Sequence, residues 1–174
     1  MLMPRQVRSV KGTPMGTEVD ESLVRELAEP LVGEFSPAEQ GELFDLLGEA
    51  HFADPDAFAS GDRAIQPLAF GLPELTVLLT PVLLAAMEEV VRYVVGNALA
   101  RGAKITANGI RRLFGRRRTP EQVAEAPLVL TPEQWSEIRT IVERVALKGG
   151  VPADQAHLIA AAVVGSGHAD RVGS

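Results

Sequence analysis

Residues 80–114, TPVLLAAMEEVVRYVVGNALARGAKITANGIRRLF, decide how the chain is read. Polar side chains recur at Glu88, Glu89, Arg92, Asn97, Arg101, Lys104, Asn108 and Arg111, at spacings near three and four. Nearly every other position is apolar or small, from Leu83 and Leu84 through Val91 and Val94 to Ile110 and Leu113. That period belongs to a helix and not to a strand. Thr80 followed by Pro81 has the form of a cap and a first helical residue, and the pairing returns at Thr119-Pro120 and Thr131-Pro132. A single helix from Pro81 to about Phe114 would be roughly 50 Å long. Gly96, Gly102 and Gly109 lie inside it, each lowering its intrinsic stability by about 1 kcal/mol relative to Ala. Such a helix needs neighbours, and its bare glycine surfaces would let another helix come close.

The same period continues on both sides. Leu23, Leu27, Leu31 and Phe35 recur every four residues, with Pro30 expected to kink or interrupt that helix. Ser36-Pro37-Ala38-Glu39 reads as a helix start with a capping box, opening a helix through Leu43, Leu46 and Leu47 to about Ala50. Asp54-Pro55-Asp56 begins a short helical turn that Ser60-Gly61-Asp62 ends. Downstream, helices are expected from Thr131 to about Lys148 and from Pro152 to about Gly165, separated by Gly149-Gly150 as an αα-hairpin. No strand alternation and no internal repeat is visible. The expected fold class is therefore all-α: a helical bundle, or hairpins, around one long central apolar helix. Its parts are a flexible tail (1–17), an acidic helical region (18–62), the apolar and basic central segment (63–118), a linker (119–130), the C-terminal αα-hairpin (131–165) and a frayed tail (166–174).

Composition fits this. The 174 residues suffice for one domain with a core, and 46% are hydrophobic, which argues against a disordered chain. Only 5% are aromatic, so the core must be aliphatic. No cysteine is present, which removes disulfides, thiolate zinc sites and thiol catalysis. The N-terminal stretch has no apolar core of the kind a secretory signal carries, so the expected location is the cytoplasm or the cytoplasmic face of a membrane. The net charge of −6 conceals a polarity: Gly16–Asp62 carries thirteen acids against Arg25, while Arg92–Arg118 carries eight Arg or Lys and no acid. Two electrostatic faces of this kind can meet each other, a partner or a membrane.

No catalytic constellation emerges, and the chain is read as non-enzymatic with no cofactor and no metal. Gly165-Ser166-Gly167-His168 lacks the spacing of a nucleophile elbow and of a dinucleotide fingerprint, and it follows a helix. His51, Asp54 and Asp56 are close enough in sequence to suggest a metal. Helix-end roles for His51 and Asp54 are the commoner use of such residues. His157 is read as a partly buried packing residue, and His168 as part of the tail. The basic stripe argues little for nucleic acid, since Phe114 is its one candidate for base stacking and the rest of the chain is acidic.

Two functions remain. Pro67 to Met87 holds one charge, Glu74, over about the length that spans a hydrocarbon core. An Arg cluster of the kind anionic lipid attracts follows downstream. Against a simple span stand Pro73, Pro81 and Glu74, with Glu88, Glu89 and Arg92 just beyond. The first reading is therefore attachment to an anionic membrane, peripheral or hairpin-like. Its contacts would be Leu75, Leu78, Leu79, Leu83, Leu84, Val91 and Val94 with Arg111, Arg112, Arg116, Arg117 and Arg118. The alternative is a soluble homo-oligomeric interaction or scaffold protein, with the same central helix buried in the assembly, because a helix apolar nearly all round is either core or lipid-facing.

Overall fold

The computed structural model describes residues 19–55, 77–114 and 128–168, and among these residues lie six α-helices, one 3-10 turn and no strand. The chain is all-α. Leu75, Arg116, Arg117, Arg118, the expected short turn from Asp56 to Asp62, the stretch with Pro67 and Pro73, and residues 1–18 and 169–174 lie outside the described residues, as does most of the linker.

Helix α1 runs from Glu21 to Phe35. Asp20 caps it, its carboxylate accepting from the backbone N–H of Ser22 at 2.9 Å and of Leu23 at 3.4 Å. Pro30 does not interrupt this helix, one of the two outcomes expected for it. It is exposed, while Leu23, Val24, Leu27, Ala28 and Val32 face inward.

The expected helix from Ser36 to Ala50 is two elements. Pro37–Glu39 form a single 3-10 turn, Gly41 then adopts φ 74°, and α2 runs from Glu42 to Ala53. The capping box does not form. The Ser36 hydroxyl donates to Glu39 Oε1 at 2.9 Å, and Glu39 turns inward to a different helix. Phe44, Leu47, Gly48 and His51, one stripe of α2, are buried.

That other helix is α3, Leu79–Ala100. Its N-cap residue, Leu78, supplies no side-chain hydrogen bond, so the expected Thr80-Pro81 cap is replaced by a distant one. The Glu39 carboxylate accepts from Leu79 N at 2.8 Å, from Thr80 N at 2.7 Å and from the Thr80 hydroxyl at 2.7 Å. Pro81 has no N–H to satisfy. Glu39 is 4% exposed and Thr80 is fully buried, so these bonds are made away from water. An anion here also meets the positive end of the helix dipole.

Helix α3 does not reach Phe114. It stops at Ala100, where Gly102 N donates to Leu99 O at 3.0 Å and Ala103 N to Ala98 O at 2.9 Å. Gly102 at φ 71° makes this a Schellman close, which a residue with a side chain enters only at a cost. The 22-residue helix is thus roughly 33 Å long. After the turn, Thr106 caps the short α4, Ala107–Leu113, by accepting from Gly109 N at 3.1 Å.

Thr131 opens α5, Pro132–Lys148, with a capping box in which its side chain and that of Gln134 each accept from the other's backbone N–H. Helix α5 closes as α3 does: Val151 N donates to Ala146 O at 3.0 Å around Gly150, whose φ is 88°. Helix α6 then runs from Ala153 to His168, beyond the expected end near Gly165, and packs along α5. Helix α3 touches α1, α2 and α5, while α1 also touches α4 and α6. The shared interior is aliphatic, with Leu83, Leu84, Met87, Val90, Val91 and Val94 of α3 no more than 1% exposed.

Two predictions concern stability, both read by chemical denaturation. Glu39→Ala should lose about 3 kcal/mol, because it strands buried donors of α3. Ser36→Ala, which removes one bond from the far side of the same carboxylate, should lose less than about 1 kcal/mol. The glycines should separate in sign. Gly96 is exposed inside α3 with open space where a Cβ would stand, so Gly96→Ala should stabilise by up to about 1 kcal/mol. Gly102→Ala should destabilise by at least about 1 kcal/mol. Equal effects at the two glycines would contradict the assigned end of α3.

Candidate interaction surface

Over the last two turns of α3, Val94, Val95 and Ala98 stay buried in the core while another face is left uncovered. Higher on the helix, Val82 packs against the core, and Glu89 meets Arg144 of α5 at 2.6 Å. From Arg92 onward one face turns to solvent. Arg92, Gly96, Leu99 and Ala100 recur along it at helical spacing, and the Schellman turn adds Arg101, Ala103 and Lys104, all exposed. Leu99 is 50% exposed, which places a large aliphatic side chain among three cations. Tyr93 borders the same face. Its phenol is raised from 10.0 by burial first and then by the Glu137 carboxylate, against the opposing Arg101 cation and a hydrogen bond with Asn97. Arg101 and Tyr93 therefore sense each other across the end of the helix.

The sequence-derived contact residues divide differently. Leu78, Leu79, Leu83, Leu84, Val91 and Val94 are all buried, between 0% and 7% exposed, and all but Leu78 belong to the core packed within the chain. Arg111 is engaged as well: its Nε donates to Glu26 Oε2 at 2.6 Å and its Nη1 to Asn108 Oδ1 at 2.9 Å. Arg112 is half-buried and also has partners. Leu75, Arg116, Arg117 and Arg118 fall outside the described residues. The residues that sequence reasoning did not single out are Leu99 and its neighbours Ala100 and Ala103. The available signal was their position within the acid-free stretch, on the face carrying Arg92.

The acidic and basic halves of the chain do meet within one molecule. Glu26 of α1 and Arg111 of α4 are 18–19% exposed, so the pair is shielded from much of the solvent. A second joint links α2 to α3. His51, 1% exposed, places Nε2 3.3 Å from Glu88 Oε2, with its ring edge-on to Phe52. His51 therefore reaches α3, and no group of three potential metal ligands gathers among the described residues. His157 is not a packing residue. Its side chain is 57% exposed, and its Nε2 accepts from Arg139 Nη2 at 2.9 Å.

Among the described residues no helix is long and apolar enough to cross a membrane. Compared with protein families, with curated proteins and with solved structures, the chain has no match in any of the three.

The joint between the charged halves can be weighed by a double-mutant cycle on Glu26→Gln and Arg111→Met, with stability read in urea. Half-shielded pairs of this kind couple by about 1 kcal/mol. A coupling of zero would mean that α4 is held by Ile110, Leu113 and Phe114 alone.

Proposed function

We propose that this chain is a non-enzymatic helical protein that docks peripherally on an anionic membrane surface, presenting the C-terminal end of α3. The observation that carries the reading is the half-exposed Leu99 set among Arg92, Arg101 and Lys104. Cations near an anionic leaflet contribute about 1 kcal/mol each. A leucine entering the interface adds part of the roughly 2 kcal/mol that its full burial would supply. The sum, on the order of 4 kcal/mol, gives weak and reversible attachment. Arg116, Arg117 and Arg118 follow in the same acid-free stretch and would add to it.

Attachment by this surface leaves the interior intact. Insertion of α3 would instead require Leu83, Leu84, Val91 and Val94 to leave α1, α2 and α5. The reading is therefore of a helical body organised around α3 that touches lipid at one end, on the cytoplasmic face.

One observation favours a second reading. Gly96 has nothing within 4 Å of where its Cβ would be, so the same face could receive α3 of another copy closely and make a homo-oligomer.

Vesicle co-sedimentation decides. Wild-type protein should bind vesicles rich in phosphatidylglycerol and not neutral ones, more weakly as salt rises. Replacing Arg92, Arg101 and Lys104 together by Gln should weaken binding by up to about 100-fold. Leu99→Glu should weaken it further without loss of fold. Wild-type protein that ignores anionic vesicles at low salt, yet sediments as an oligomer that Gly96→Leu dissociates, would replace lipid by a second copy.

A further inference from the structure

On the opposite side of α3 from this surface's charge, a groove of about 320 Å³ opens between α1 and α6. Leu27 and Leu31 form its α1 wall, Ala162 stands on α6, Met87 of α3 contributes a side chain only 1% exposed, and Phe114 joins them from the end of α4. Two properties define what could fill it. The first is shape. Leu27 to Glu34 covers two turns of α1, roughly 10 Å, so the groove follows the helix and suits an extended chain. The second is charge. Among the described lining residues Glu34 is the only ionisable one, and it is exposed. Sites for small ligands are commonly apolar concavities in which one or two polar groups fix the orientation.

We propose that this groove binds a single-chain amphiphile with a cationic head. The aliphatic chain lies along α1 over Met87, whose unbranched thioether adapts to irregular apolar partners. The ammonium sits against the Glu34 carboxylate. A fatty carboxylate of the same length would bring like charges together there. The charge pair is exposed, so it sets orientation and selectivity, while the apolar contact supplies most of the affinity. Ala162 keeps the α6 side open; a large side chain there would occupy the ligand's place.

The chain contains its own reporter. Trp135 is the one tryptophan, and it stands edge to face with Phe114 at 5.9 Å between ring centroids. A chain placed against Phe114 should alter its emission. The full-length protein is titrated with decyltrimethylammonium below its micelle concentration, and with decanoate as the anion of equal chain length. The cation should give a saturable change in Trp135 emission together with a rise in Tm. Decanoate should bind roughly fivefold more weakly, or less. Glu34→Gln should remove most of that preference, and Ala162→Phe should abolish the saturable change. Should Ala162→Phe fail to fold, Glu34→Gln alone decides, through the ratio of the two affinities. The proposal is overturned if wild-type protein shows no saturable change with the cation, if decanoate binds as tightly, or if Glu34→Gln leaves the preference unaltered.

Discussion

The buried carboxylate of Glu39 holds the start of α3, and the other helices are arranged around that fact. A helix whose first turn is buried must satisfy its leading N–H groups without water. Leu78 cannot do so and Pro81 has no N–H, which leaves Leu79, Thr80 and the Thr80 hydroxyl to be met by one anion. The anion arrives on a 3-10 turn that closes α1 and precedes α2. Its position therefore ties the packing of α1, α2 and α3 together. Replace that charge by an apolar group and the first turn of α3 has buried donors and nothing to receive them.

Much of the helical content is legible in the sequence because local rules govern it. Thr131 caps a helix that begins where the Thr-Pro pairing puts it and runs to Lys148 as expected. Two elements escape such reading, for different physical reasons. The Glu39 cap acts across about 40 residues, and no local pattern encodes a bond of that range. The end of α3 was encoded, since Gly102 is the residue a left-handed close requires. The apolar spacing, however, continues through Ile105, Ile110 and Leu113, because α4 also turns an apolar face to the same interior. Periodicity reports which face is inward, and it does so equally for one helix and for two helices separated by a turn.

The proposed interaction surface is legible in charge and not in burial. The contrast between acidic 16–62 and basic 92–118 is plain in the sequence. What it cannot express is which cations find partners at home: Arg111 meets Glu26, while Arg92, Arg101 and Lys104 face solvent. The apolar candidates divide in the same way. Leu83 and Val91 are inside because other helices cover them, and Leu99 is outside because it lies on the uncovered face of a turn whose inner face, Val95 and Ala98, is buried. Coverage of that sort depends on helix lengths and crossings, which residue types alone do not specify.

The bond between Glu39 and the first turn of α3 has a topological meaning as well. It pins two points of the chain together as a cross-link does, and makes a closed loop of the residues between them. Loop-closure entropy rises only with the logarithm of length, so each doubling of a flexible loop costs about 0.6 kcal/mol. The stretch between α2 and α3 is thereby released from defining where α3 begins, since the carboxylate does that. The start of α3 is therefore kept in register with the 3-10 turn by that one carboxylate, at an entropic expense set by the number of residues enclosed.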